Sequence, residues 1–402
     1  NGGRALINAR FEGPIAGTDS SSSRVDGYIR FIDGDITYIP RSITVNKLAG
    51  DLLFRNKDLI VPGLTMSTGK STLQVDGKAA NFLSLFNISP EKLLLSWNVH
   101  SKALFLEDYR SFLSKRGDSK KTSGSKSALS KTSNKIDKMF TDGNVHMTLA
   151  ASKLHYRKFN ASEVNAAILL SNDIVDLENV SLRHADGTVS LKGIMTQAGE
   201  LNKITLAVGL NQINVPLIFD AFSDFGQDAI TSKNLKGKLN ASINLDTYIT
   251  DAAKMKTDLT TGTVKFLLQQ GELHDFEPVK KISEKALKKQ DFSDIRFADL
   301  ENRLEIKGTA FVVNRMEIRS TAITMFVEGI YDTKKGTDMS IQLPVRNLLK
   351  SNADTDLTDA GKDNKGISVR LRAHTGEDGK LQIGWDPFKK AVKNKQSVAD
   401  HP

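Results

Sequence analysis

Apolar and polar residues alternate along most of this chain with a period of two. The alternation is clear in Ala5-Ile7-Ala9-Phe11, Val145-Met147-Leu149 and Leu206-Val208-Leu210. Because successive side chains of a strand point to opposite faces of a sheet, this pattern predicts strands with one apolar and one polar face. Short connections rich in Gly and Asp, such as Asp33-Gly34-Asp35, favour antiparallel hairpins between them. The pattern therefore predicts a mainly β fold with a long antiparallel sheet of the meander type.

An internal repeat supports the meander. Three stretches end in an alternating strand closed by Gly: Leu73-Gln74-Val75-Asp76-Gly77, Val189-Ser190-Leu191-Lys192-Gly193 and Met325-Phe326-Val327-Glu328-Gly329. Each is preceded by two further alternating strands: Leu48 to Phe54 and Leu59 to Leu64, Val164 to Ile168 and Leu177 to Leu182, and Leu304 to Ile306 and Met316 to Ile318. The repeated unit is predicted to be a meander of three strands.

The tetrapeptide Gly69-Lys70-Ser71-Thr72 superficially resembles a phosphate-binding loop. Five residues separate Gly63 from Gly69, whereas the phosphate-binding motif requires four and a helix directly after it. The residues that follow alternate as a strand does, and the second repeat has Arg183-His184-Ala185-Asp186-Gly187 in the same slot. We therefore predict a hairpin turn at Gly69 and no nucleotide site.

Helical patterns are few. Asn214 is predicted to cap a helix near residues 215–225, Asp275 one near 276–290, and a shorter helix is expected from Ala103 to Ser114. So few helices cannot cover a long apolar sheet face, which must then roll into a sandwich or stay open. We expect the sheet to curve into an open groove with a few short capping helices.

The composition of the chain indicates how it divides into sections and what net charge it carries. The 402 residues include no Cys and carry a formal net charge of +9. Residues 114–138 are rich in Lys and Ser and are predicted to be a disordered linker. This divides the chain into an N-terminal groove section, 1–113, and a C-terminal groove section, 139–402.

No recognised catalytic or metal-binding motif is present, so we predict no enzyme activity, no cofactor and no metal site. The densest ionisable cluster, Leu273 to Pro278, is better explained by Asp275 capping a helix than by acid–base chemistry. Nucleic acid is not expected as a partner, because aromatic residues are not interleaved with the basic ones.

Basic residues do concentrate on one side of the helix predicted from Phe276 to Gln290. Such a face could contact anionic lipid headgroups at a membrane surface, or it could simply be solvated. The candidate headgroup contacts are Lys280, Lys281, Lys285, Lys288 and Lys289.

The apolar sheet face is the remaining candidate for a binding surface. Exposed apolar area beyond a few hundred Å² usually marks a binding site, and an aliphatic groove could hold lipid acyl chains. Each inward position could equally be ordinary core. The predicted lining residues are Leu73, Val75, Leu191, Leu206, Val208, Ile243, Val264, Phe266, Leu304, Ile306, Phe311, Val313 and Val327.

The chain resembles the AsmA-like family of bacterial envelope proteins, which includes TamB-type members. The resemblance rests on these stretches: Gly262 to Leu273, Phe297 to Asn302, Gly308, Ser320, Gly329 to Asp332 and Asp338 to Leu343. Residues 214–239, with Phe225-Gly226-Gln227 and Asn234-Leu235-Lys236-Gly237, are similar to the version found in Bacteroidota. The resemblance covers about residues 140–350 and extends over 1–100.

The resemblance implies a β-groove that shields lipid acyl chains and contributes to phospholipid transport between membranes and to outer-membrane homeostasis. It implies a periplasmic location with an N-terminal inner-membrane tether, which is absent from this chain, and envelope proteins that cap the groove. Two alternatives remain open. One is a non-catalytic scaffold or chaperone for outer-membrane protein assembly, whose sheet edges pair with client strands. The other is a hydrolase with dispersed catalytic residues.

Overall fold

The fold was determined as a computed structural model of the chain. It describes residues 2–13, 23–38, 43–83, 94–112, 144–171, 174–198, 201–226, 230–250, 254–275, 294–344, 367–376 and 381–386. The predicted linker 114–138 and the predicted helix 276–290 lie outside these residues.

The described part of the chain is mainly β, as the alternation predicted. The strands are β1 Gly2–Glu12, β2 Arg24–Tyr38, β3 Ile43–Arg55, β4 Asp58–Thr68, β5 Ser71–Ala80, β6 Leu94–Ser101, β7 Leu104–Phe105, β8 Asn144–Tyr156, β9 Phe159–Ser171, β10 Ile174–His184, β11 Gly187–Ala198, β12 Leu201–Asn214, β13 Leu235–Thr250, β14 Thr261–His274, β15 Asp294–Arg296, β16 Leu300–Lys307, β17 Ala310–Arg319, β18 Thr324–Asp332, β19 Gly336–Pro344, β20 Ser368–Thr375 and β21 Leu381–Trp385.

These strands form one mixed sheet of 21 strands, which confirms the prediction of a single long meander sheet. One detail of that prediction was wrong, because β8 runs parallel to β6 and β7. Parallel neighbours need a crossover connection of about a dozen residues or more, and the chain between Ser101 and Asn144 supplies it. The alternation of residues carries no information on strand direction, so the sequence pattern could not reveal this pairing.

The chain forms two compact units. The described residues of the first unit fall within Asn1–His184, Val189–Ala207 and Thr247–Lys256. Its largest core lies on one face of β3 to β8, where Leu59, Val61, Leu95 and Val145 are buried. A second cluster around Leu154 packs where β7, β8 and β9 meet.

The second unit's described residues fall within Ala185–Thr188, Val208–Asp246 and Thr257–Pro402. Its core lies on β14, β15 and β18 to β20, where Leu273, Ile295, Ile341, Leu343 and Leu371 are buried. In both units the buried residues come from alternate positions of adjacent strands, as a sheet with one apolar face requires.

The glycines that close the repeats are needed by the sheet itself. Gly77 and Gly329 have φ angles of +157° and +147°. A Cβ at these positions would lie 2.2 Å from the Ser96 carbonyl oxygen and 2.4 Å from that of Asp338. The repeat pattern in the sequence thus records places where the neighbouring strand leaves no room for a side chain.

The helix predicted near 215–225 is present but shorter. An α-helix, α1, spans Val215–Ala221, and a 3-10 turn covers Ser223–Gly226. Asn214 occupies the N-cap position, yet its side chain makes no capping hydrogen bond and instead donates to Asp186. The local sequence could not reveal this competing partner, because Asp186 lies on the turn between β10 and β11.

The helix expected from Ala103 to Ser114 was also partly wrong. Leu104–Phe105 form the short strand β7, and a 3-10 helix follows over Leu106–Phe112. Pairing of β7 with β8 overrides the helical preference of its residues, because it satisfies backbone groups that a helix start would leave without partners.

Candidate functional site

Directly opposed residues form an unbroken apolar row across the second unit. The row crosses eight neighbouring strands: Ile243, Val264, Leu304, Val313, Gly329, Met339, Ala373 and Ile383. Ala373 is buried and the other seven residues are only half-buried. We call this set the central row. Its members keep apolar surface accessible, which a fully covered core would not.

Parallel rows flank the central row on the same face. Ile306 opposes Phe311, and Phe311 opposes Tyr331 in the next strand. Phe266 lies two residues from Val264 on β14 and is half-buried as well. These side chains widen the apolar surface beside the central row, up to the polar residues Asn302 and Thr337 that oppose Phe266 and Tyr331.

The opposite face of the same strands is mostly polar, with Val312 and Ile330 as apolar exceptions. Each strand residue next in sequence to a member of the central row points to this face. There Asn244 lies directly opposite Thr263, and Thr263 lies directly opposite Glu305. Further along, Asn240 donates to Gln269 at 3.2 Å and Gln269 donates to Asp299 at 3.1 Å. The sheet is therefore amphipathic across its strands, and a one-residue change in register would exchange the two faces.

The first unit carries its own adjacent apolar rows. One row runs through Phe54, Leu59, Ala79, Leu95, Val145 and Leu170. The next runs through Val61, Gly77, Trp97, Met147 and Ile168, and a third through Leu64, Val75, Val99, Leu149 and Ala166. The first of these is almost wholly buried, whereas Trp97, Met147, Val99 and Leu149 are half-buried. We call the second and third of them the first-unit rows.

The predicted lining residues take these positions in the sheet. Leu73 and Val75 lie on β5 in the apolar face of the first unit, opposite Met66 and Leu64. On β11 and β12, Leu191, Leu206 and Val208 are half-buried. Ile306 and Val327 are the buried members of the predicted set, and the remaining members in the second unit are half-buried.

The predicted headgroup contacts cannot be located. Lys280, Lys281, Lys285, Lys288 and Lys289 all lie outside the described residues, as does the helix that Asp275 was predicted to cap.

The phosphate-like turn does hold an anion, but the anion is a side chain of the protein. Asp108 accepts hydrogen bonds from the Lys70 and Ser71 amides at 2.9 and 3.1 Å and from the Ser71 hydroxyl at 2.9 Å. A Cβ on Gly69 would lie 2.3 Å from the same carboxylate. The predicted hairpin turn is thus confirmed, and Asp108 occupies the place where a phosphate would have to bind.

An ionisable cluster forms at the end of β14, in a way that sequence reasoning missed. His274 contacts Asp294 through Nδ1 and Glu272 through Nε2, the latter at 3.2 Å. Lys236 lies 3.7 Å from the same Glu272 carboxylate. Both ring nitrogens of His274 are thus engaged by carboxylates of the protein itself. Only the β13–β14 and β14–β15 pairings bring these residues together.

Among the described residues, no group of three or more His, Asp or Glu side chains is arranged to hold a metal ion. Within the same residues, no helix combines the length and the apolar character needed to span a bilayer.

Comparison with known proteins adds no assignment. No family model, no curated protein and no solved structure matches this chain.

Proposed function

We propose that this protein holds the acyl chains of lipids on its apolar sheet face and so contributes to phospholipid transport between the membranes of a bacterial envelope. The observation that supports this function is the central row of apolar residues from Ile243 to Ile383, all half-buried except Ala373. The part of the row from Ile243 to Val313 is half-buried on every strand, whereas Met339 and Ile383 pack against the core that includes Ala373.

The dimensions of the central row suit an acyl chain. With strands about 4.8 Å apart, a row that crosses eight strands is about 34 Å long. Removing a sixteen-carbon chain from water contributes about 12 kcal/mol at about 0.8 kcal/mol per methylene group. Contact with the central row contributes the part of this free energy that corresponds to the side of the acyl chain it covers.

The central row also suits movement along the surface. Its side chains are aliphatic apart from Gly329 and the thioether of Met339, and none carries a charge. An acyl chain would therefore meet similar contacts at each strand, with no polar group to hold it in one position. This is the behaviour required of a conduit, whereas a tight receptor needs fixed polar anchors.

The cellular setting belongs to the same proposal. The resemblance of residues 140–350 to AsmA-like proteins supports a periplasmic location, in which a segment outside this chain would tether the protein to the inner membrane. The lysines from Lys280 to Lys289 would contact anionic headgroups, and envelope proteins would cap the groove. The proposed function involves no catalytic residue, cofactor or nucleic acid.

Lipid analysis of the purified chain tests the proposal. Native and lipid mass spectrometry would compare the parent with a Val264→Asp/Phe266→Asp variant, which places two charges on the apolar face. Lys265→Asp is the matched control, because the exposed Lys265 lies between them on the polar face of the same strand.

Stoichiometric phospholipid on the parent and the control, lost from a folded double variant, supports the proposal. A lipid-free parent, or a folded double variant that retains its lipid, contradicts it. Circular dichroism establishes that each variant is folded.

A further inference from the structure

The first strand has an open edge. Within the described residues, β1 pairs with β2 and with no other strand. Every residue of β1 from Gly2 to Phe11 is exposed. Three of them are large and apolar: Leu6, Ile7 and Phe11 are 48%, 69% and 47% exposed.

The apolar face of the first unit continues to this edge. Ile7 opposes Ile29, which opposes Leu52 on β3, and Ala9 opposes Gly27, which opposes Phe54. The face therefore ends on β1 at the point where a further strand would continue it.

The apolar face of this edge has little protection, although Arg4, Arg10 and Glu12 lie on the other face and the pairing is irregular between Gly2 and Arg4. From Arg4 to Glu12, β1 contains no proline and no bulge, and its apolar face carries only Ala5, Ile7, Ala9 and Phe11. Proteins normally protect a free edge with a charge on the inward face, a proline, a bulge or a very short strand. A long edge with so little protection on its apolar face is expected where another strand covers it.

The sequence of β1 is complementary to itself. We propose that β1 pairs antiparallel with β1 of a second copy of this chain, in the register that places Asn8 opposite Asn8. Arg4 then faces Glu12 of the other copy, at both ends of the pairing. Ile7 faces Ala9 and Phe11 faces Ala5, so the apolar faces of the two copies join.

This register also covers the exposed Leu6, because Leu6 faces the aliphatic part of Arg10. Other registers fit less well. Placing Ile7 opposite Ile7 brings Arg4 against Arg10, and like charges directly opposite destabilise a strand pair. A shift by one residue would place the apolar face of one copy against the polar face of the other.

Charge reversal tests this register. Sedimentation velocity over a range of concentrations would compare the parent with Arg4→Glu, Glu12→Arg and the double variant. Each single reversal places like charges opposite each other twice per dimer, and we expect it to weaken dimerisation about tenfold or more. The double reversal restores opposite charges and should restore dimerisation.

Glu12 also pairs with Arg10 and Arg24 in its own chain, so circular dichroism must show that each variant is folded. The proposal is overturned by a parent that stays monomeric at every concentration. It is equally overturned by a dimer that neither single reversal weakens.

Cross-linking tests the same register without a change of charge. The chain contains no Cys, so Asn8→Cys introduces a single thiol. Directly opposed strand residues have Cα atoms about 4.5 to 5.5 Å apart, within disulfide range. Mild oxidation should link the Asn8→Cys variant into a covalent dimer and leave Ser152→Cys, at an exposed position of β8, largely unlinked.

The inference does not depend on lipid binding, because the dimer is measured in lipid-free protein. A dimer that carries no lipid would contradict the proposed function and support the β1 pairing. A monomer that carries lipid would support the proposed function and contradict the β1 pairing. If the parent stays monomeric and captures an added alternating peptide on β1, the edge accepts client strands and self-pairing is wrong.

Discussion

The Asp108 carboxylate accepts a hydrogen bond from the Ser71 hydroxyl at 2.9 Å. This bond joins the 3-10 helix after β7 to the turn between β4 and β5. Ser71 is itself fully buried, and its hydroxyl oxygen accepts a hydrogen bond from the Phe105 amide at 2.9 Å. One residue further along, burial raises the pKa of Tyr109, whose hydroxyl meets Thr68. These contacts hold the start of the crossover against the end of β4 and the start of β5.

Replacing Asp108 with Ala should therefore destabilise the first unit by about 1–3 kcal/mol, because the charge-assisted hydrogen bonds at the turn are lost. Urea unfolding followed by circular dichroism measures the change. Lys70→Ala is the control, because Lys70 contributes only its backbone amide to Asp108. Equal losses in both variants would show that the carboxylate does not hold the turn.

Gly69→Ala should be unfavourable for the same reason, since its Cβ would overlap the Asp108 carboxylate and its φ is +55°. The double variant Gly69→Ala/Asp108→Ala should lose less stability than the sum of the two single losses, because without the Asp108 carboxylate the Cβ added at position 69 no longer clashes with it. A double-mutant cycle in urea measures this coupling. Strict additivity would contradict the contact.

Asp332 should make the second unit acid-sensitive. Burial alone would raise the pKa of its carboxyl, but the Lys335 and Lys334 amides and the Thr309 hydroxyl outweigh burial and lower it. A lowered pKa contributes stability that is present above the unfolded value of about 3.9 and is lost as pH falls through the folded value. Asp332→Asn should therefore reduce stability at pH 7 and flatten its decline below about pH 4.

Thermal unfolding of the parent and of Asp332→Asn between pH 7 and pH 3 checks this expectation. The difference between the two melting temperatures should shrink as pH falls. A difference that stays constant across that range would rule out the carboxylate charge as its cause.

Trp97 offers an optical test of the apolar face in the first unit. It lies in the first-unit rows between Gly77 and Met147, and it is one of two tryptophans in the chain. In a Trp385→Phe variant, brominated fatty acid bound on that face should quench the remaining fluorescence, because the bromine atoms would lie close to the indole. Trp385 is 64% exposed, so its replacement should leave the fold intact.

Introducing Asp at Val99, a half-buried neighbour of Trp97 on the same face, should prevent that quenching by brominated lipid. Ser96→Asp is the matched control, because the exposed Ser96 lies next to Trp97 on the polar face, opposite Lys78. Quenching that persists in a folded Val99→Asp variant would place the lipid elsewhere.

Arg372 and Asp338 form a paired contact between β20 and β19. The guanidinium donates through Nε and Nη2 to the two carboxylate oxygens, each at 2.6 Å, and this hydrogen bonding raises the pKa of Arg372. Lysine keeps the charge but cannot form both hydrogen bonds at once. Arg372→Lys should therefore cost about 0.5–1 kcal/mol of unfolding free energy, and a cost close to zero would show that charge alone suffices.

The sequence by itself determined the strands, their two faces and several of their turns. The alternation of apolar and polar residues marked the apolar face on which Val264, Leu304 and Val313 oppose one another. It could do so because the face that a side chain occupies in a regular strand depends only on whether its position is odd or even. The repeat glycines were visible for an equally local reason, since Gly77 and Gly329 hold backbone angles that other residues rarely adopt.

The tertiary structure alone decided which strands became neighbours and which distant groups met. The parallel pairing of β6 with β8, the Asp186 partner of Asn214 and the Asp294 partner of His274 all join residues far apart in the chain. The same holds for Asp108 in the Gly69 turn. The odd or even position of a residue in its strand determines which face its side chain occupies. Only the completed pairing of strands brings a particular partner within hydrogen-bonding distance.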